Sequence, residues 1–167
     1  YNFVNDTANT ADDNGHGSHT MGLIIGTSPN PTYGNLGVAR GAQWITVRTG
    51  QQGNGWTGDA ILAGFQWTLA PTRVNGNQPR LDLRPRVSSN SWALPCTYSA
   101  MRPAVQNWVN AGIFPDFANG NSGPNSGTVL SPASYPESWG TGALDTRTDL
   151  RRGLRTRSCR PVCGLPR

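Results

Sequence analysis

The feature that most constrains the fold is an alternation of short β-rich segments with longer helical ones. Three β-rich segments, at 42–48, 87–92 and 113–118, are separated by stretches long enough to cross a sheet, and a fourth could span Gly140–Asp145. Strands linked by such crossovers lie parallel in an α/β sheet, and sites form where those strands end. The alternation therefore predicts an α/β fold with chemistry in the loops after 87–92 and 113–118.

Three segments carry helical signals, at 13–27, 58–70 and 99–110. In the first, small and apolar residues recur at helical spacing, which predicts a buried helix. Thr57 is placed to cap the second helix, which a proline then ends. The polar segment 75–85 contains two prolines and predicts a loop.

The net charge of +5 is distributed unevenly. Residues 1–146 hold seven arginines and eight acids, whereas residues 147–167 hold seven arginines and one acid. A nucleic-acid partner would have to bind the second segment alone, so we expect none. Apolar runs are only a few residues long and no signal peptide is visible, so we expect no membrane span either.

Both histidines, His16 and His19, lie in the segment 14–22. As metal ligands they would share one helix face, but no third ligand is evident. As core residues they would be hydrogen-bonded inside the start of a helix. As a general base, one histidine between glycines would present its ring to a cleft. Spacing alone leaves these three interpretations open, and we predict no metal site.

The segment Asn119–Pro124 directly follows the 113–118 strand. An asparagine held between glycine turns can direct its amide N–H at a developing oxyanion. The same residues also form ordinary turns. Taken alone, the segment favours the plain turn.

Five segments follow one another in a fixed order. They are the two-histidine segment at 14–22, Gly-Val-Ala at 37–39, Ser-Asn-Ser-Trp at 89–92, the asparagine-glycine segment at 117–124 and Ser-Pro-Ala-Ser-Tyr-Pro at 131–136. Together they resemble the subtilisin-like serine peptidases (the subtilases, or peptidase S8 family), in which the first is the histidine box and the fourth is the oxyanion segment. Three departures from the family pattern are Ser18 for threonine, Arg40 for proline and Ala93 for glycine. The resemblance runs from Tyr1 to about Thr146. It implies a three-layer α/β sandwich around a mostly parallel sheet, truncated at both ends.

The resemblance also implies roles for the two polar residues of the catalytic machinery. His16 would be the general base that takes the proton from a nucleophilic serine and returns it to the leaving amine. Asn121 would donate its side-chain amide to the tetrahedral oxyanion. His19, the second histidine of the box, would be structural.

The implied substrate-binding residues are Ser91, Trp92, Ala93 and Gly120. The first three would pair through their backbone with an extended substrate peptide. Gly120 would help to floor the pocket for the side chain before the scissile bond. Ala93, where the family has glycine, would narrow that groove.

Two members of the family's triad have no matching motif in this sequence. No Asp-Ser/Thr-Gly precedes His16, and no Gly-Thr-Ser-x-Ala follows, since Gly26-Thr27-Ser28 continues with Pro29. Asp6, Asp12 and Asp13 lie in the segment before His16, which is a loop in the family, and they are not taken as substitutes. We therefore expect a serine endopeptidase working through a Ser-His-Asp triad, of which this chain holds only the histidine and the oxyanion asparagine. The alternative is a catalytically dead peptide-binding remnant.

Composition and resemblance both change near residue 146. We predict a partial peptidase domain over 1–146 and an arginine-rich tail over 147–167, arising from a translation-frame change or as a natural basic extension. Cys96 lies where some relatives carry a half-cystine. Its expected partner would fall near Asn125, where the sequence has no cysteine, so we expect Cys96 to form no disulfide.

The remaining expectations come from the family alone. They are a polypeptide substrate, a monomeric and secreted protein, and no cofactor, with structural calcium possible in the family but not visible in this sequence.

Overall fold

The structure, a computed structural model, describes residues 1–3, 7–30, 32–34, 36–53, 55–74, 76–123 and 125–143. The chain forms two compact units, Tyr1–Pro85 and Arg86 onward, a division that the sequence analysis does not predict. The predictions for 147–167 and for the end of the fourth strand lie outside the described residues.

The first unit opens with helix α1 (His16–Ile25), which follows Gly15 in the left-handed conformation (φ 85°). None of the ten residues of α1 is buried in the described structure. The predicted burial of this helix is therefore wrong, and so is the interpretation of both histidines as core residues, since each is exposed. Apolar spacing shows which face a helix could bury, but burial also needs an element that covers that face.

Helix α2 (Gly58–Leu69) confirms the prediction for the second helical segment. The Thr57 hydroxyl accepts a hydrogen bond from the Ala60 N–H (3.2 Å), as its capping role requires. The helix buries Ile61 and Phe65, which are 4% and 3% exposed. Local chemistry thus determines where α2 starts and which face it buries.

The predicted strand at 42–48 does not form. The neighbour of this segment is the described stretch 1–3, since Arg48 N–H donates to Tyr1 O (2.8 Å) and Phe3 N–H to Arg48 O (2.9 Å). This three-residue partner supports only an isolated bridge. A hairpin follows, in which β1 (Gly50–Gln51) pairs antiparallel with β2 (Gly55–Trp56).

The last part of the first unit contains one 3₁₀ turn, at Leu81–Leu83, within the segment predicted as a loop. Across the described residues, no helix is both long and apolar enough to cross a membrane.

The second unit contains a three-stranded parallel sheet in the order β3 (Val87–Asn90), β4 (Phe114–Ala118) and β5 (Trp139–Thr141). Helix α3 (Arg102–Asn110) connects β3 to β4. The α/β class and the parallel pairing are therefore confirmed. β3 ends two residues before the predicted boundary.

Among the described residues, one face of this sheet packs against α3 and the other carries exposed apolar side chains. Trp108 of α3 stacks near Phe117 of β4, with ring centroids 6.4 Å apart, and Phe117 is fully buried. On the opposite face Val87, Phe114 and Trp139 are 57%, 46% and 60% exposed. Parallel sheets in proteins generally have both faces covered, so this apolar face is unusual for a parallel sheet.

Cys96 is disulfide-bonded, so the expectation that it forms no disulfide is wrong. The expectation failed because it considered only a partner cysteine near Asn125. The two other cysteines of the chain, Cys159 and Cys163, lie outside the described residues.

Candidate functional site

The histidine turn in the first unit carries the first candidate catalytic residue, His16. His16 is the first residue of α1, and its imidazole is exposed, with no hydrogen-bond partner among the described residues. His19 lies one turn further along the helix and is also exposed. The structure therefore leaves both histidine side chains accessible to solvent on the first turns of α1.

Asp12 binds the start of this helix through both carboxylate oxygens. Oδ1 accepts from the backbone N–H groups of Asn14 (3.0 Å) and Gly15 (2.8 Å), and Oδ2 accepts from Ser18 (2.7 Å). These bonds, the one from Ser18 first, hold the pKa of Asp12 well below its usual range. Asp12 therefore remains ionised at neutral pH while bound to the backbone around His16.

Asp13 is held by Arg48. The guanidinium places Nη2 at 2.6 Å from Asp13 Oδ2 and Nη1 at 2.5 Å from Ala11 O, and its Nε donates to Gly50 O (3.1 Å). The same Asp13 oxygen also accepts from the Gln52 N–H (3.3 Å). The carboxylates of Asp12 and Asp13 are thus both engaged by other groups, and Asp6 lies outside the described residues.

The other predicted site residues lie in the second unit, at the carboxyl ends of β3 and β4. Asn90 is paired in register with Phe117, so the residues that follow the two parallel strands leave the sheet at the same edge. The ring of Trp92 packs edge-on against Phe117 (5.4 Å, 84°). This edge holds Ser91, Trp92 and Ala93 after β3, and Gly120 and Asn121 after β4.

Backbone bonds fix the segment after β3. Leu94 N–H donates to Ser131 O (2.7 Å), and Ser131 N–H donates back to Leu94 O (3.1 Å). The Ser131 hydroxyl donates to Cys96 O (3.0 Å), and Tyr135 OH donates to Tyr98 O (2.5 Å). The residues that directly follow Ser91–Ala93 are therefore hydrogen-bonded to the 131–135 loop.

Residues 119–121 turn sharply at the end of β4. Asn119 N–H donates to Thr141 O (2.9 Å), and its carbonyl accepts from Leu130 N–H (3.0 Å). Gly120 has φ +93°, and a Cβ there would lie 2.7 Å from Leu130 Cδ1. Both facts require glycine at 120. The turn leaves Asn121 exposed, and its amide has no partner among the described residues.

Asn119 itself is an unusual residue at this turn. Its Oδ1 is buried and makes no hydrogen bond to any described residue. The side chain lies against β5, where a Cβ at Gly140 would overlap Oδ1 and a Cβ at Gly142 would lie 3.0 Å from Nδ2. Nothing in the sequence distinguishes Asn119 from the other asparagines of this segment.

The structure thus gathers five of the six predicted site residues at one edge of the second unit's sheet, and it places His16 in the first unit. Sequence reasoning missed the contribution of Asp12 and Arg48. An acidic residue shortly before a glycine and a helix start was the available signal, because such residues bind the free N–H groups of a first turn. No group of three or more His, Cys, Asp or Glu residues in the described ranges could hold a metal ion.

The family profile described as "Subtilase family" matches residues 1–160. The chain therefore belongs to the subtilase family. The matched range extends 14 residues past the boundary predicted at residue 146.

Two curated relatives illustrate the similarity. The chain is 38% identical over 157 residues to bacillopeptidase F of Bacillus subtilis strain 168, covering 90% of this chain and 11% of that protein. It is 31% identical over 144 residues to subtilisin Savinase of Lederbergia lenta, covering 86% of this chain and 47% of that protein. The chain thus spans less than half of the length of either relative.

Among solved structures, Sphericase has a similar fold, with a TM-score of 0.63 and 23% sequence identity. The match covers 83% of this chain and 44% of Sphericase. This similarity supports the α/β fold alone.

Proposed function

We propose that this chain is part of a serine endopeptidase that hydrolyses peptide bonds in polypeptides, with His16 as the general base and Asn121 as a donor to the oxyanion. The observation that carries the proposal is the edge of the second unit's sheet. There Ser91–Ala93 and the unengaged amide of Asn121 follow adjacent parallel strands, in a chain that belongs to the subtilase family.

The proposed chemistry is acyl transfer. His16 takes the hydroxyl proton as a serine oxygen attacks the peptide carbonyl, and it returns that proton to the leaving amine. Asn121 donates its amide N–H to the oxygen that becomes negative in the tetrahedral intermediate. Its exposure and its lack of a partner among the described residues leave this donor available.

Substrate would lie along the segment after β3. Ser91, Trp92 and Ala93 would pair with an extended peptide through their backbone, and Gly120 would floor the pocket for the side chain before the scissile bond. The bonds between Leu94 and Ser131 support this role, because they hold the backbone of the segment in place. In this proposal the methyl group of Ala93 narrows the groove.

The triad serine and aspartate are proposed to lie outside these 167 residues. Asp12 and Asp13 bind Ser18, Gly15 and Arg48 instead of His16. We further propose a secreted monomer that requires no cofactor for catalysis and binds neither nucleic acid nor membranes. The alternative is a peptide-binding remnant that uses the same edge without chemistry.

The first experiment is to sequence the gene from codon 140 onward and to translate all frames. A frame that resumes with Phe-Ser-x-Arg-Gly and later Gly-Thr-Ser-x-Ala is the expected result, and it would define the longer product to express. If every frame closes soon after Arg167, the remnant is favoured and the residues from 147 onward are a natural tail.

The second experiment labels the products with a fluorophosphonate, which reacts covalently with an activated serine. The longer product should be labelled and should cleave casein, and His16→Ala should abolish both, whereas His19→Ala is the matched control on the same helix. Labelling unaffected by His16→Ala would contradict the assigned base. Peptide binding without labelling would support the remnant.

Asn121→Ala tests the oxyanion donor. Removing one such donor costs about 10²–10³ in turnover, a magnitude known from a subtilisin and expected to apply here. The matched control is Asn125→Ala, which removes an exposed asparagine from the same loop. Equal activities of the two variants would exclude Asn121 as the donor.

A further inference from the structure

The turn that carries His16 is held by hydrogen bonds to one nearby carboxylate, since α1 has no buried residue. The first N–H groups of a helix have no acceptor within the helix. The residue before α1 is Gly15, which has no side chain to supply one. Asp12 supplies it instead, because its Oδ2 accepts from the Ser18 N–H, two residues after His16.

The same carboxylate also binds the chain before His16. Its Oδ1 accepts from the Gly15 N–H (2.8 Å) at the point where the backbone adopts φ 85°. A Cβ at Gly17 would lie 3.5 Å from Asp12 Oδ2, so the carboxylate lies directly over the first turn. The backbone of His16 is therefore fixed on both sides by one residue.

Asp12 is in turn held by its neighbours. A single guanidinium, that of Arg48, binds Ala11 O (2.5 Å) and Asp13 Oδ2 (2.6 Å), the residues on either side of Asp12. The side chain of Arg48 is only 16% exposed and also donates to Gly50 O. Through Arg48, residues 11–13 are thus anchored to Gly50 of β1. No residue of α1 is buried, so packing adds no comparable anchor.

We propose that Asp12, anchored through Arg48, is a positioning residue that sets the orientation of His16. The inference rests on the proposed function in one respect, namely that His16 is the general base. Asp12 touches no reacting atom in this scheme. It acts through the backbone by fixing where the His16 Cα–Cβ bond points, and no buried face of α1 could replace that effect.

The test uses the 167-residue chain, because its two histidines give a simple spectrum after selective isotopic labelling of histidine. Asp12→Ala should shift or split the His16 signals, and it should speed amide exchange at Ser18 by about two- to fivefold, the range expected for losing an interaction with a solvent-exposed charge. The α2 signals should remain unchanged. Asp12→Asn keeps one acceptor oxygen and should restore part of the wild-type spectrum.

Asp59→Ala is the matched control, since it removes an exposed carboxylate from the first turn of α2 in the same unit. It should leave the His16 signals unchanged. Arg48→Lys tests the anchor, because an ammonium cannot reproduce the fork that binds Ala11 and Asp13. We expect it to shift His16 in the same direction as Asp12→Ala, by a smaller amount.

Unchanged His16 signals and Ser18 exchange in Asp12→Ala would overturn the proposal. If Asp12→Ala fails to fold, Asp12→Asn and Arg48→Lys decide, and wild-type His16 signals in both would overturn it. In a longer product that turns over peptide, Asp12→Ala should lower kcat with KM unchanged. If no product turns over, the proposed function fails, whereas the spectra still decide whether Asp12 positions His16.

Discussion

The turn that carries His16 and the loop that carries Asn121 are stabilised by different kinds of interaction. His16 begins a helix without a buried residue, and charged side chains hold the turn before it. Asn121 follows a strand whose Phe117 is fully buried, in contact with the rings of Trp92 and Trp108. The first region should respond to charge and pH, and the second to side-chain volume.

This difference matters because both residues serve one reaction in the proposed function. A charge-assisted hydrogen bond is directional, so it can fix a few backbone atoms without burying much surface. An apolar core fixes a whole strand end, but it tolerates little change in volume. Substitutions in the two regions should therefore fail in distinguishable ways.

The largest expected effect is that of Phe117→Ala. Removing a fully buried aromatic ring costs about 3–5 kcal/mol, because it leaves a cavity beneath Trp92. Urea unfolding followed by tryptophan fluorescence measures this loss. The control is Phe114→Ala on the same strand, where the ring is 46% exposed and the expected loss is about 1 kcal/mol or less.

Amide exchange at Ser18 connects this prediction to the comparison. The bond from Ser18 to Asp12 is local to the first unit, so its protection should persist in Phe117→Ala. If the Ser18 amide and the β4 amides lose protection from exchange equally, the two regions are stabilised by shared interactions and the comparison fails.

An intermediate effect is expected for Gly120→Ala. The backbone at φ +93° costs about 1–2 kcal/mol for any residue with a Cβ. The new methyl group would also displace Leu130. Gly15→Ala has a similar φ with open space around the new Cβ, so it isolates the backbone cost in the first unit.

The difference in the free energy of unfolding between Gly120→Ala and Gly15→Ala therefore measures the cost of displacing Leu130. Leu130→Ala combined with Gly120→Ala should remove that displacement and retain the backbone cost. Gly123→Ala, with no close atom and an ordinary φ, should be nearly neutral. A Gly120→Ala variant as stable as Gly123→Ala would contradict the prediction.

The smallest effect is that of Asp12→Asn, and it depends on pH. Backbone bonds, led by that from Ser18, lower the pKa of Asp12 in the folded chain. The ionised carboxylate therefore contributes stability that is complete above the unfolded value of about 3.9 and is lost as the pH falls below it. The contribution is small because the carboxylate is exposed to solvent.

Thermal unfolding of wild type and Asp12→Asn measures this contribution. The wild type should have the higher Tm at pH 7, and the difference should shrink at pH 3. Asp59→Asn, which removes an exposed carboxylate with no hydrogen bond to a described residue, is the control variant at pH 7. A Tm difference for Asp12→Asn that is the same at both pH values would exclude an ionic origin.

Local chemistry explains which elements could be predicted from the sequence. The start of α2 depends on Thr57 and the free N–H groups beside it, all within four residues. The parallel pairing of β3 with β4 follows from the helical crossover between them. The loop ends that hold Ser91 and Asn121 then follow from the direction of the strands.

The failures depend on partners distant in sequence or on side-chain conformation. The 42–48 segment has the composition of a strand, but only residues 1–3 pair with it in the described structure. The pattern of α1 indicates an apolar face without indicating what covers it. The role of Asp12 depends on a side-chain conformation that reaches six residues along the chain, which composition and periodicity do not specify.

Asn119 restricts which sequences this fold can adopt. Its side chain occupies the space beside Gly140 and Gly142, where β5 passes the end of β4. A side chain as large as asparagine at position 119 therefore leaves no space for a Cβ at position 140. Among natural variants of this segment, a side chain at 140 should occur only together with a smaller residue at 119, so that the two positions are inherited as a pair.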